Sequence, residues 1–206
     1  MWNIIHVDKY DDLDDGPLAN SLGMEIQRQQ LLSKARGKTL EVGVGTGINL
    51  KYYDFSNIDF FEGVDLSGRM LDYARKKSPK SMSGNINFTV ANVENLPFPD
   101  DSFDTVVDTF SMCVYPDPDK ALSEMKRVLK KNGRLLLLEH TRSSVPLLGT
   151  YQDITASPVA SLGKGCFWNQ NVEEMIQKQQ LDIVDREEYL SGLITRYQLT
   201  KSHSIE

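Results

Sequence analysis

Short apolar runs separated by amphipathic stretches organise the middle of the chain. Apolar runs of strand length occupy residues 38–44, 60–65, 86–92 and 103–110. A fifth run, residues 134–140, contains four consecutive leucines, which is typical of a strand buried on both faces of a parallel sheet. This order predicts an α/β fold with a doubly wound, Rossmann-like sheet and helices on both of its faces.

Helix signals lie between these runs. Ser67 is a candidate N-cap for residues 68–77, and Asp117 precedes Pro118 at the first position of a helix that Lys130 and Lys131 would close. A helix is also predicted directly after Gly47, and another within residues 21–35.

The last third of the chain has a different pattern. Residues 141–170 contain several prolines and glycines and are predicted to be irregular. Asn171 and Glu174 then have capping-box spacing, which predicts a helix. Two strand candidates follow, at 182–190 and 195–202, and would form an antiparallel hairpin at the sheet edge. The sheet would then be seven-stranded and mostly parallel.

Composition narrows the class of protein. A chain of 206 residues is long enough for one full-sized domain. A net charge of −6 without a basic stripe argues against nucleic-acid binding. The two cysteines, Cys113 and Cys166, form no CxxC pair, so we expect a reducing compartment and no metal site, with Cys113 as a core residue. No apolar run is long enough for a membrane span or signal peptide, which favours a cytoplasmic protein.

A glycine-rich turn, "LEVGVGTGINL", follows the first strand. Gly43, Gly45 and Gly47 alternate, whereas the dinucleotide fingerprint needs G-x-G-x-x-G and has its third glycine where Ile48 stands. No Lys-Ser/Thr pair follows, so a phosphate loop is also disfavoured. Glu41 precedes the turn, and a carboxylate there suits a cationic group better than a pyrophosphate.

Polar residues end the next two strands. Asp65 lies about twenty residues beyond the glycines, where an acid accepts hydrogen bonds from ribose hydroxyls. Asn92 ends the third strand and would meet an adenine edge. A nucleoside with a charged, phosphate-free tail fits this series, and S-adenosylmethionine is such a molecule.

These motifs also carry a family resemblance. "EVGVGTG", "GVDLSGRML", "ANVENLPFPDDSFDTVV" and "ALSEMKRVLKKNGRLLLLEH" resemble the successive motifs of class I S-adenosylmethionine-dependent methyltransferases, and are most similar to the small-molecule branch of the ubiquinone/menaquinone-biosynthesis enzymes. "YDDL" and "GCFWNQNVEEMI" are similar to segments of the methyltransferase-like group that includes thiol methyltransferases.

The resemblance implies roles for individual residues. The glycines would approach the methionine moiety, with Glu41 near its amino group, and Asp65 would hold the ribose. The remaining cofactor contacts would be Leu66 and Met70 beside the adenosine, Asn92 and Val93 at the adenine, and Thr109, Phe110 and Ser111 near the sulfonium. The domain would comprise an N-terminal lid and helix (1–35), a cofactor-binding core (36–140), a substrate-side insertion (141–170) and a C-terminal helix and hairpin (171–206).

The expected reaction is direct in-line transfer of the sulfonium methyl group to a small, apolar molecule, without a metal. A thiol acceptor needs little further help, whereas a phenol, quinol or amine needs a base. His140 is best placed by sequence for that role, although a histidine at such a position is more often structural than catalytic. Tyr10, Phe167 and Trp168 are the candidate substrate contacts. Two alternatives stay open: a non-catalytic methyltransferase-like module that binds the cofactor or a protein, and a nicotinamide-dependent oxidoreductase, which the glycine spacing disfavours.

Overall fold

Seven strands form one mixed sheet in the computed structural model, which describes residues 16–162 and 165–202. The strands are β1 (Gly37–Val42), β2 (Ile58–Asp65), β3 (Ile86–Val90), β4 (Phe103–Thr109), β5 (Leu129–His140), β6 (Leu181–Tyr189) and β7 (Ile194–Lys201). Their spatial order is β3-β2-β1-β4-β5-β7-β6. The first five strands in this order are parallel, and β7 runs antiparallel to β5 and β6. The predicted doubly wound sheet with an antiparallel edge hairpin is confirmed.

Helices cover both faces of this sheet. They are α1 (Pro17–Ser21), α2 (Met24–Leu32), α3 (Gly68–Lys77), α4 (Pro118–Val128), α5 (Pro146–Leu162) and α6 (Val172–Lys178). Residues of α2 and α3 pack with Leu136 and Leu138 on one face, and residues of α4 and α6 pack with Leu135 and Leu137 on the other. The four leucines of β5 therefore alternate between two cores, and all four are fully buried.

The two capped helices begin where the sequence predicts. Ser67 Oγ accepts a hydrogen bond from Met70 N, and Asp117 Oδ1 accepts one from Lys120 N at 3.0 Å. The predicted end of the second helix is wrong, because α4 stops at Val128 and Lys130 and Lys131 lie in β5.

Other local predictions are also wrong. The predicted helix after Gly47 is a single 3₁₀ turn, Ile48–Tyr52. The candidate helix in 21–35 breaks at Gly23, whose φ of 81° is left-handed, so α1 and α2 are separate. At the start of α6 no capping box forms, because Asn171 Nδ2 donates to the Glu174 side chain at 2.8 Å instead.

The largest departure concerns residues 141–170. The sequence predicts an irregular segment, whereas α5 extends over 17 residues and contains Pro158. Hydroxyl groups of Thr150, Thr155 and Ser161 each donate to the carbonyl four residues earlier. Proline and hydroxyl residues disfavour helices locally, so tertiary packing outweighs propensity here.

Strand β6 forms one outer edge of the sheet. Most of its residues are exposed, and its hydrogen bonds within the sheet go to β7 alone. No helix among the described residues has the length and apolar character needed to cross a membrane.

Candidate active site

A cavity of about 500 Å³ lies at the carboxyl ends of β1, β2 and β4. The connection after β1 leads to β2 on one side of it, and the connection after β4 leads to β5 on the opposite side. The carboxyl ends of β1 and β4 therefore form the topological switch point, where open α/β sheets bind ligands. Its lining includes every residue that the sequence assigns to the cofactor except Gly47. The predicted cofactor residues therefore converge on one site.

The glycine turn forms one wall of the cavity. Gly43, Gly45 and Gly47 all have positive φ angles, of 59°, 54° and 76°. A Cβ atom at Gly43 would collide with the Ser111 side chain, and one at Gly47 would lie 2.7 Å from Leu50. At Gly45 the nearest neighbour would be a backbone oxygen at 3.8 Å, so this position faces open space. Gly43 and Gly47 are thus required by packing, whereas Gly45 leaves room for a ligand.

Asp65 holds the glycine turn against the start of α3. Its Oδ2 accepts a hydrogen bond from Gly45 N at 3.0 Å, and its Oδ1 accepts one from Ser67 N at 2.8 Å. Burial raises the pKa of this carboxyl, and the two backbone N–H groups oppose the rise. Each oxygen keeps a further lone pair, so the carboxylate still has acceptor capacity towards the cavity.

Glu41 lies at the floor of the cavity and is 2% exposed. Asn49 Nδ2 donates to its Oε1 at 2.6 Å, and Tyr53 Oη donates to its Oε2 at 2.9 Å. Burial raises the pKa of Glu41 to about 7, although both hydrogen bonds and the charge of Arg28 lower it. A cationic ligand would favour the carboxylate form. The 3₁₀ turn after Gly47 brings Asn49 and Tyr53 to this side chain.

Arg28 of α2 reaches the same cavity. Its Nη1 donates to Asn49 Oδ1 at 2.5 Å and to Thr109 Oγ1 at 3.2 Å, and its guanidinium lies 5.0 Å from the centre of the Phe110 ring. Phe110 has a φ of 54°, a left-handed conformation that costs energy for a residue other than glycine. Phe110 directly follows β4, and its ring faces the Arg28 guanidinium in a cation–π contact. Backbone strain of this kind is typical of functional sites.

The opposite wall is formed by residues around α3 and after β3. Leu66, 61% exposed, and the half-buried Met70 present apolar surface there. Asn92 Oδ1 accepts a hydrogen bond from Glu94 N at 2.9 Å, so Asn92 shapes a turn as well as lining the cavity, and Val93 beside it is buried.

Two further carboxyl groups lie beneath the end of β4. Asp108 and Glu139 are fully buried, and Asp108 Oδ2 and Glu139 Oε2 have no hydrogen-bond partner among the described residues. Ser111 N donates to Glu139 Oε1 at 3.4 Å, and Tyr115 Oη donates to Asp108 Oδ1 at 3.4 Å. Burial is the main cause that raises the pKa of both carboxyls; the charge of Glu41 adds to the rise at Asp108, and the charge of Asp108 adds to the rise at Glu139.

The remaining predicted residues do not line the cavity. The His140 ring packs against Phe110 with 4.9 Å between ring centres, one residue behind the cavity wall. Phe167 is half-exposed, and Trp168 packs edge-on against Tyr151. None of the lining comes from residues 141–170, and Tyr10 lies outside the described residues. The substrate and lid roles of these residues stay predictions.

Sequence reasoning missed Arg28, Asn49 and Asp108. Arg28 stands in a polar helix sequence with no signal that distinguishes it from a solvated arginine, although it is 2% exposed. Asn49 follows the glycine turn closely, so its position could have pointed to the site. Among the described residues, the cavity lining combines the carboxyl groups of Glu41 and Asp65 with the guanidinium of Arg28, a donor and acceptor set that fits a zwitterionic ligand carrying a positive charge.

Comparison with known proteins identifies the family. Residues 40–137 match the methyltransferase domain family. The chain is 32% identical over 177 residues to the mitochondrial methyltransferase OMS1 of Saccharomyces cerevisiae, covering 77% of this chain and 37% of that protein. It is 41% identical over 167 residues to the ubiquinone/menaquinone biosynthesis C-methyltransferase UbiE of Francisella tularensis, covering 76% of this chain and 65% of that protein. The chain thus spans less than two thirds of both relatives.

A third relative is covered over most of its length. Phosphatidylethanolamine N-methyltransferase of Cereibacter sphaeroides is 32% identical over 153 residues, covering 73% of this chain and 72% of that protein. Among solved structures, an S-adenosylmethionine-dependent methyltransferase of Thermotoga maritima superposes with a TM-score of 0.70 at 24% identity, over 96% of each chain, and supports the fold. The chain therefore belongs to the class I S-adenosylmethionine-dependent methyltransferases, in the small-molecule branch that includes UbiE.

Proposed function

We propose that the protein transfers a methyl group from S-adenosylmethionine to a small molecule whose apolar part occupies the same cavity. The observation that carries this proposal is the convergence of Glu41, Gly45 and Asp65 on one cavity of about 500 Å³. That volume lies within the usual range for small-molecule sites. Apolar groups of Phe110, Val114 and Pro116 also line it and support an apolar acceptor.

The residues present fit the cofactor. Asp65 would accept hydrogen bonds from the ribose hydroxyls, and Asn92 and Val93 would contact the adenine. Glu41 would face the ammonium group of the methionine part, and Arg28, beside it, would face the carboxylate. When bound, S-adenosylmethionine supplies an activated methyl group, and the task of the protein is to align the acceptor and exclude water.

The acceptor class is a thiol, a phenol or quinol, or an amine. Two relatives are named for ubiquinone/menaquinone biosynthesis and for phosphatidylethanolamine, and these names support an acceptor with a large apolar part. His140 is the proposed base for an acceptor that must lose a proton, since its ring contacts Phe110 of the cavity wall. We propose a cytoplasmic location, which the sparse cysteines support.

Calorimetric titration separates this function from a nicotinamide-dependent oxidoreductase. The wild-type protein should bind S-adenosylmethionine and S-adenosylhomocysteine and should not bind NAD. Gly45→Ala should weaken cofactor binding, because the added methyl group enters space that the ligand needs. Gly84→Ala is the matched control, since Gly84 also has a positive φ, 92°, has nothing within 4 Å of an added Cβ, and does not line the cavity. Equal cofactor affinity in the two folded variants would refute the site.

A methyl-transfer screen over thiols, phenols, quinols and amines then tests catalysis. Turnover of one class identifies the acceptor chemistry. Tight cofactor binding without turnover of any class would favour the non-catalytic module. For a phenol or amine acceptor, His140→Gln should lower kcat more than it raises KM, and an unchanged kcat would exclude His140 as the base.

A further inference from the structure

A cluster of three soft ligand groups lies beside the cavity wall. Cys113 Sγ, Cys166 Sγ and a His140 ring nitrogen all lie within 4.8 Å of one another. We propose that they form a binding site for a thiophilic divalent cation of the Zn²⁺ class, with one coordination position left open. This proposal departs from the sequence analysis, which predicts no metal site because the two cysteines form no CxxC pair and lie far from each other along the chain.

The distances suit tetrahedral coordination. Zn–S bonds of about 2.3 Å and Zn–N bonds of about 2.0–2.1 Å at tetrahedral angles place sulfur and nitrogen ligands about 3.5 Å apart, and two sulfur ligands about 3.8 Å apart. Cys166 Sγ lies 3.4 Å from His140 Nδ1. The separations within the cluster therefore need changes of about 1 Å or less to accept the ion.

Ordered backbone elements place the three ligands. Cys113 lies in the 3₁₀ turn Met112–Val114 that follows β4, and His140 is the last residue of β5. Phe167 N donates to Cys113 O at 2.9 Å, which fixes the segment containing Cys166 against this turn. Gly165, with a φ of 84°, provides the turn immediately before Cys166. The cluster is thus held by a strand end, a turn and a backbone hydrogen bond that belong to the fold.

The ligand types determine which ion would bind. Two thiolates and one imidazole favour zinc over magnesium or calcium, which prefer oxygen ligands. Three protein ligands leave a fourth position for water or another ligand, as in catalytic zinc sites. An imidazole that binds the ion through His140 Nδ1 carries its proton on Nε2, so the zinc-bound form would not act as the base proposed above. Cys113 is 2% exposed, whereas Cys166 and His140 are half-buried, so the cluster has a dry interior and an accessible side through which an ion can enter.

The site would stiffen the wall of the active site. Ser111 directly precedes the turn that holds Cys113, Val114 is the last residue of that turn, and both line the cavity. The His140 ring contacts Phe110, which also lines it. An ion at this position would join the ends of β4 and β5 to the segment after α5. Zinc binding should therefore raise the thermal midpoint of the protein. It does not require S-adenosylmethionine, so it is tested independently of methyl transfer.

The test uses the full chain without a histidine tag, reduced and freed of metal with a chelator. Titration with Zn²⁺ should show one bound ion per chain, and Co²⁺ should give sulfur-to-metal charge-transfer and tetrahedral d–d absorption. Cys113→Ser, Cys166→Ser and His140→Ala should each weaken binding by more than the 10–100-fold lost when an outer-shell partner is removed. The double variant His6→Ala/His203→Ala removes the other two imidazoles of the chain and should bind zinc normally.

Alkylation of the wild-type protein provides a measurement that needs no variant. Zinc should protect Cys166 from iodoacetamide, and magnesium should not. The proposal is overturned if the reduced protein binds no zinc at micromolar concentration, or if folded Cys166→Ser and His140→Ala bind it as tightly as the wild type. Formation of a Cys113–Cys166 disulfide in the presence of equimolar zinc would also overturn it, because the pair would then be a redox couple.

Discussion

Replacement of Asp65 by alanine tests the central contact of the proposed cofactor site. The carboxylate would accept two ribose hydroxyls, and each hydrogen bond to a charged acceptor contributes about 1.5–3 kcal/mol. Asp65 already accepts Gly45 N and Ser67 N, so we expect the lower end of that range for each bond. The loss of binding free energy is then about 3 kcal/mol, or roughly 100-fold in the dissociation constant for S-adenosylhomocysteine.

The same substitution also removes two acceptors from backbone N–H groups. These groups border the cavity and can bind water, so the free energy of unfolding should fall by only about 1–2 kcal/mol. Asp117→Ala is the matched control, because Asp117 also accepts a backbone N–H, at 3.0 Å, but does not line the cavity. It should lose comparable stability and no affinity.

Titration calorimetry at constant pH measures the affinities, and urea denaturation measures the stabilities. If folded Asp65→Ala binds the ligand within threefold of the wild type, the ribose assignment is wrong. If Asp117→Ala loses as much affinity as Asp65→Ala, the effect arises from general destabilisation and the reasoning fails in the same way.

Two further predictions concern stability. Burial raises the pKa of Glu41 from its ordinary 4.5 to about 7. Between these two pH values the folded state keeps a proton that the unfolded chain releases. The stability that this residue contributes is therefore fully present below pH 4.5, and about 3 kcal/mol of it is lost as the pH rises to 7. Glu41→Gln should remove this part of the pH dependence in urea denaturation at pH 5 and pH 8, and an unchanged difference between the two pH values would contradict the argument. Pro158→Ala should raise the free energy of unfolding by about 1–3 kcal/mol, because it restores a backbone N–H inside α5. Pro146→Ala, at the first position of α5, is the control and should not stabilise the protein. A thermal midpoint that does not rise in Pro158→Ala would show that the helix accommodates the proline without cost.

The parts of the fold that sequence predicts are those that depend on local pattern. Residue type and spacing are enough to predict the buried leucines of β5, the helix caps at Ser67 and Asp117, and the acid at the end of β2. The order of the strands then brings the glycine turn, Asp65 and Asn92 to one edge, because parallel strands share their carboxyl ends.

The parts that sequence misses depend on contacts between distant segments. Helix α5 forms although Pro158 and its hydroxyl residues disfavour it, so its environment decides its structure. Arg28 reaches Thr109, 81 residues away, only because α2 packs near the end of β4. Likewise, Cys166 Sγ lies 3.4 Å from His140 Nδ1 only because the segment after α5 packs against the end of β5. No pattern within one segment predicts such contacts.

The exposed edge of β6 has a consequence for the behaviour of the protein at high concentration. A free edge strand offers unpaired N–H and C=O groups to a second chain, and sheets that stack in this way grow into fibrils. Five of the nine residues of β6 are charged, four acidic and one basic: Asp182, Asp185, Arg186, Glu187 and Glu188. An approaching copy would have to desolvate these charges and overcome their mutual repulsion. Strand β6 therefore forms a charged edge of the sheet that resists polymerisation.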